Sequence, residues 1–150
     1  MNESAAPAPC EAAITAWARL VRTGQAVLAR VEADLRTAGQ PPLGWYDLLL
    51  ELKRAGGALR PVEIEGRLLL AQPNVSRLID RLARAGFAER RACAEDGRGH
   101  FVVLTDAGRA LLDRMWPVYR DAIQRHVGAR LGAGEAQTLA ELLARLTPGR

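Results

Sequence analysis

A mainly helical fold with one small β-wing is what this sequence predicts, and three observations carry the prediction. In the stretch from Gln72 to Ala85, Val75, Leu78, Ile79 and Leu82 fall at i, i+3, i+4 and i+7, leaving Asn74, Arg77, Asp80, Arg81 and Arg84 largely off the buried stripe. Phe87 to Arg91 and His100 to Leu104 are short extended runs, separated by the polar turn Glu95-Asp96-Gly97-Arg98-Gly99, whose two glycines suit a hairpin tip. Long helices with apolar stripes flank this middle on both sides.

Taken in chain order, residues 1–10 hold Pro and Ala and are expected to be a disordered tail. From Glu11 to Thr37, Ile14, Trp17, Val21, Gly24, Leu28, Val31 and Leu35 step by alternating three and four, the stripe of a long helix that packs on another helix. Gly39 to Pro42 break it. A second helix from about Leu43 to Arg54 buries Leu48, Leu49 and Leu52 before Gly56-Gly57 ends it. Leu59 is a candidate strand residue, and Pro61 suits the first turn of a third helix, where its missing N–H costs nothing; Ile64 and Leu68 would face the core. The next helix begins around Gln72-Pro73 and stops at Gly86, a residue suited to a left-handed cap. After the hairpin, Thr105-Asp106 starts a helix that carries Leu111, Leu112, Met115, Val118, Val127 and Leu131 and runs to about Arg130. Gly132 to Gly134 interrupt it, and a last helix from about Glu135 presents Leu139, Leu142, Leu143 and Leu146. The whole reads as one domain over 11–150: a winged helix-turn-helix lobe at 43–105, flanked by N- and C-terminal dimerisation helices at 11–38 and 106–150.

Those flanking stripes have two readings: they pack on each other within one chain, or they pair between two chains. The second is expected, with Ile14, Val21, Leu131, Leu139, Leu142, Leu143 and Leu146 in a homodimer interface, because two-fold oligomers are common and DNA readers use them.

At 150 residues and 49% apolar content the chain buries one ordinary core. A net charge of +4 and a pI near 9.8 are compatible with a polyanionic partner without requiring one. Of the 21 basic residues only Lys53 is lysine, a bias that also fits coding composition, so the place of each Arg matters more than the count. Cys10, Cys93, His100 and His126 show no CxxC or HxxxH spacing; no disulfide framework, metal or cofactor is expected. Without a basic segment leading an apolar one, or an apolar run of membrane-spanning length, a cytoplasmic location is the default. Useful spacings of paired carboxylates, of nucleophile with base, or of a phosphate-cradling glycine loop are absent, so an enzyme is not expected.

Five segments together resemble the MarR family of bacterial and archaeal transcriptional regulators. They are Arg60-Pro61-Val62-Glu63-Ile64, then Val75 to Leu82 (VSRLIDRL), Gly86-Phe87-Ala88-Glu89-Arg90, Asp96-Gly97-Arg98-Gly99, and Leu104-Thr105-Asp106-Ala107-Gly108-Arg109. Their order and spacing are the family's, and the resemblance covers nearly everything after the N-terminal tail. It implies a triangular homodimer with intertwined terminal helices and two winged-helix lobes reading successive major grooves of a pseudopalindromic operator. Many members are repressors relieved by a small molecule, and others respond to cysteine oxidation. Departures are Arg60 where a Ser or Thr N-cap is common, Leu69 to Ala71 in place of a turn with Ser or Gly, and no Ser or Thr before the recognition helix; each lost cap costs about 1 kcal/mol.

Arg77 and Arg81 lie where a guanidinium grips guanine O6 and N7 or a phosphate, the competing reading being intrahelical pairing of Asp80 with Arg77 or Arg84. Gln72, Asn74 and Ser76, near the helix start, are expected to meet base edges or phosphates. At the wing tip Arg98 is expected to enter a narrow minor groove with Asp96 orienting it, while Arg90, Arg91 and His100 reach the DNA backbone unless Glu89 and Glu95 neutralise the arginines.

Trp17, Trp45, Tyr46, Trp116 and Tyr119 are candidates for an effector pocket, the place where the family takes aromatic or phenolic ligands, although aromatics at helical spacing are more often plain core. Cys10 stands near where peroxide-sensing relatives keep a thiol, and Cys93 is expected to be exposed in the wing; both are read as inert. Function therefore reads as a dimeric, sequence-specific repressor of double-stranded DNA with an effector. The alternatives are a winged-helix protein-interaction module and a cysteine-based redox regulator.

Overall fold

Glycines and capping side chains set the bounds of most elements in the computed structural model, which describes residues 7–95 and 99–147. Helix α1 spans Glu11–Thr37 and α2 spans Leu43–Arg54. Gly39, at φ 68°, closes α1 through Gly39 N to Arg36 O (3.0 Å) and Gln40 N to Leu35 O (2.9 Å). The α2 amino end has Pro42 as its N-cap, and Glu32 of α1 takes over the capping: its carboxylate oxygens accept from Leu43 N at 3.1 and 3.3 Å. Gly56 (φ 86°) and Gly57 (φ 110°) then turn the chain into β1, Ala58–Leu59.

Helix α3 is short, Pro61–Glu65. The cap expected to be lost at Arg60 is replaced, because Glu63 Oε2 accepts from Arg60 N at 2.8 Å. Helix α4 spans Val75–Arg84, later than the expected start at Gln72-Pro73. Gln72 precedes a proline and is disfavoured in the α region, and Asn74 instead caps the helix, its Oδ1 accepting from Arg77 N at 2.9 Å. The N-cap counted as missing is thus present. Gly86, at φ 79°, ends α4 with Phe87 N to Leu82 O (3.0 Å).

Strands β2 (Ala88–Ala92) and β3 (His100–Leu104) form an antiparallel pair, and β1 adds to the other side of β3, giving the order β1-β3-β2. The register pairs Leu59 with Val102 and Arg90 with Val102. Helix α5 spans Asp106–His126, capped by Thr105, whose Oγ1 accepts from Gly108 N (3.1 Å) and donates to Gly86 O (2.7 Å). It stops short of Arg130: Val127 leaves helical dihedrals (φ −124°, ψ −62°), and Gly128–Arg130 make a 3₁₀ turn. Helix α6, Ala133–Leu146, starts before Glu135 because that side chain reaches back to Gly132 N (2.8 Å).

The core lies where α2, α4, the sheet and α5 meet, filled by Leu48, Leu49, Leu52, Ile64, Ile79, Leu82, Val102, Leu111 and Met115. Val31 and Leu35 from the end of α1 join it. The rest of the α1 stripe does not: Ile14, Trp17, Val21 and Leu28 are exposed, Trp17 at 67%. No α6 residue is buried, with Leu139, Leu142, Leu143 and Leu146 open to solvent, while Leu131 is half-buried. Asp34 ties α1 to the end of α5, its Oδ2 accepting from Arg125 (2.7 Å) and His126 (2.8 Å).

Candidate functional site

Helix α4 presents two faces. Leu78, Ile79 and Leu82 are buried, while Asn74, Arg77, Arg81 and Arg84 are exposed and form one stripe at i, i+3, i+7 and i+10. Arg77 and Arg84 are separated by about 10 Å of helix axis, comparable to the width of a major groove. Intrahelical pairing of Asp80 with Arg77 or Arg84 is not what forms. Asp80 Oδ1 instead accepts from Arg90 Nη2 of β2 at 2.7 Å, and among the described residues Arg77, Arg81 and Arg84 have no ion-pair partner. Ser76 is exposed on the same helix, its carbonyl also reached by Arg90 Nη2 at 3.4 Å. Gln72 lies outside α4 and is half-buried over α2; a Cβ on Gly44 would stand 2.7 Å from its Nε2.

In the wing, the described candidate residues contact other side chains of the same chain. Arg90, expected on the DNA backbone, has its guanidinium between Asp80, the Ser76 carbonyl and His100 Nε2. His100, expected on phosphate, is thereby turned toward Arg90. Arg91 is exposed but paired with Glu89 on its own strand, the local neutralisation that the spacing allowed. Asp96 and Arg98 lie outside the described residues. Cys93 is half-buried, with Arg60 Nη2 3.8 Å from its Sγ, in place of the exposed position expected; Cys10 is exposed at the start of α1. Arg60 also sits over the Phe101 ring, 5.1 Å from its centroid. Among the described residues no group of three or more His, Cys, Asp or Glu side chains is placed to hold a metal, and no helix is long and apolar enough to cross a membrane.

The five aromatic candidates divide. Tyr46, Trp116 and Tyr119 gather, with Tyr46 stacked on Trp116 (6.4 Å, 18°) and Tyr119 edge-on to both (5.2 and 6.1 Å). Trp45, one residue along α2, turns away and packs edge-on against Phe87 at 6.0 Å, and Trp17 stands in solvent on α1; neither lines the cavity beside the three. That cavity has a volume of about 560 Å³, in the range of small-molecule sites. Leu50, Leu69, Leu112 and Ile123 supply its other apolar walls. Its charged lining was not legible beforehand: Asp47, Glu51, Lys53 and Arg54 from α2, Arg67 from the α3–α4 connection and Asp113 from α5. Arg54 is paired with Glu51 at 2.9 Å.

Asp47 joins the cavity to the approach to α4. It is buried, and its Oδ2 accepts from Leu70 N at 2.8 Å. Burial pushes its carboxyl above the usual carboxylate range, partly opposed by the Leu70 and Leu69 backbone N–H groups. Burial likewise raises the Tyr46 and Tyr119 phenols, with Tyr119 further raised by Asp47.

Comparison with known proteins places this geometry. A model described as MarR family matches residues 39–99, the stretch from just before α2 to the residue preceding β3. The chain is 38% identical over 77 residues to the uncharacterized HTH-type transcriptional regulator YkoM of Bacillus subtilis, covering 51% of this chain and 50% of YkoM. It is 30% identical over 95 residues to the multiple antibiotic resistance protein MarR of Escherichia coli, covering 63% of this chain and 66% of that protein. The matched stretches thus span half to just under two thirds of these relatives. Among solved structures, Sco3205 of Streptomyces coelicolor, a MarR family transcriptional regulator crystallised in complex with DNA, superposes with a TM-score of 0.83 at 25% identity, covering 95% of this chain and 91% of that one. In its motif order, in the stretch that the family model matches and in the architecture it shares with Sco3205, the chain is similar to MarR family transcriptional regulators.

Proposed function

We propose that the protein is a cytoplasmic, homodimeric, sequence-specific DNA-binding regulator, a repressor of a pseudopalindromic operator relieved by a small aromatic or phenolic molecule. One observation carries the reading: the exposed stripe Asn74, Arg77, Arg81 and Arg84 on α4, whose arginines have no ion-pair partner among the described residues, on the helix that a winged-helix lobe offers to a major groove. The DNA complex of Sco3205 supports it by analogy of fold. Two copies of the lobe are called for by the exposed apolar faces of α1 and α6, and the cavity walled by Tyr46, Trp116 and Tyr119 supports an aromatic effector.

Fluorescence anisotropy on the protein's own upstream DNA, beside scrambled DNA and across a salt series, tests the operator reading. Wild-type protein is expected to prefer its upstream DNA, with affinity falling steeply as salt rises. Loss of one bidentate base contact in Arg77→Ala weakens specific binding by about tenfold or more and relaxes preference, whereas Arg98→Ala lowers the salt slope by about one. Equal, feeble binding to both DNAs sinks the operator reading.

The effector reading has its own check. Phenols titrated into the protein are expected to quench Trp116 fluorescence and weaken DNA binding, and Trp116→Leu abolishes both responses. Ligands that bind without altering DNA affinity would leave the cavity uncoupled from α4 and refute this part.

A further inference from the structure

We infer that Arg90 is a positioning residue that acts on Asp80, holding the wing to the recognition helix and masking a carboxylate that otherwise faces DNA. The inference rests on the operator reading above and reverses the role that sequence alone assigns to this arginine.

Strand alternation puts Ala88 and Arg90 on the same face of β2, the face turned to α4. Ala88 is 2% exposed and closes the core there. Arg90 continues the same face past the edge of the core, and its side chain is only 31% exposed. On α4, Ser76 and Asp80 are one helical turn apart and meet it. Arg90 Nη2 donates to Asp80 Oδ1 at 2.7 Å and reaches the Ser76 carbonyl at 3.4 Å, while Nη1 lies against His100 Nε2 of β3. One guanidinium therefore joins α4, β2 and β3, the three elements whose relative placement decides whether helix and wing engage DNA together.

Charge makes the same point. Asp80 is the one acidic residue of α4, and it shares that helix with Arg77, Arg81 and Arg84. Its side chain is 45% exposed, close enough to solvent for an unpaired carboxylate to repel phosphates. Arg90 cancels that charge, whereas Arg91 faces away and is spent on Glu89. A phosphate ligand and a mask differ in one measurable respect: the mask is dispensable once its target is neutral.

The experiment compares wild type, Arg90→Ala, Asp80→Asn and the double variant on the upstream duplex and a scrambled duplex across a salt series. Hydrogen exchange of the free proteins is read at β2, β3 and α4. Expected are a loss of about tenfold in Arg90→Ala, recovery to within about threefold of wild type in the double variant, and a salt slope unchanged throughout. Exchange at the β2 and α4 amides rises in Arg90→Ala. Arg90→Ala that binds like wild type overturns the inference, as does a double variant no tighter than Arg90→Ala with a salt slope lower by about one, the mark of a phosphate ligand. Wild-type protein that binds both duplexes equally sinks the operator reading instead; the brace is then judged by exchange alone, and unchanged β2 and α4 amides overturn it.

Discussion

Gly108→Ala is expected to destabilise the protein by about 3 kcal/mol, a fall of about 10 °C in Tm at fixed protein concentration. Gly108 is buried in the first turn of α5, where a Cβ would stand 2.1 Å from the Phe87 carbonyl oxygen, 3.1 Å from the Phe87 carbonyl carbon and 2.7 Å from Leu104 Cδ1. Rotation of Leu104 could clear its methyl, but the Phe87 carbonyl is backbone and has no alternative position. Relief requires α5 to lift from the start of β2, which strains the Thr105 bonds to Gly86 and Gly108 that cap the helix. Thermal unfolding by circular dichroism decides it, and a Tm within about 2 °C of wild type would show that the junction yields more readily than its geometry implies.

With the homodimer and operator proposed above, Leu142→Glu is expected to leave monomers and to weaken operator binding roughly 100-fold, because two lobes on one scaffold engage two half-sites at high effective concentration and separated lobes do not. Leu142 is 48% exposed on a helix that buries no residue, so the charge costs little within one chain and much inside an apolar interface. Sedimentation velocity reads the assembly state, and circular dichroism at the same concentration reads the helix content. A variant that stays dimeric with wild-type affinity places the interface away from α6.

The sequence was most legible where punctuation was local. Gly39 and Gly56-Gly57 mark the ends of α1 and α2, whose bounds were read correctly, and Gly86 and Thr105 mark the turns on either side of the hairpin. Helix starts were less legible where a side chain reaches back across the boundary: Asn74 caps α4 after Pro73, and Glu135 draws the start of α6 back to Ala133. The exposed stripe on α4 followed from periodicity, since burial of Leu78, Ile79 and Leu82, with Val75 half-buried on the same side, dictates which residues face away. Partners distant in sequence did not. Arg90 finds Asp80 across a helix-to-strand turn, and Arg67 and Asp113 reach one cavity from different elements. Trp45 and Tyr46 show the limit of composition as a guide: adjacent on α2, they point about 100° apart, one toward Phe87 and one toward Trp116.

Helix α5 has the dimensions of a lever. Its 21 residues make a rod about 31 Å long, rooted at the wing by Thr105 and tethered to α1 at the far end by Asp34. Pivoting such a rod by about five degrees at the His126 end carries the Thr105 end through about 3 Å. A pair of lobes borne on two of these levers would change its span by more than the length of a hydrogen bond while every contact inside each lobe stayed as it is.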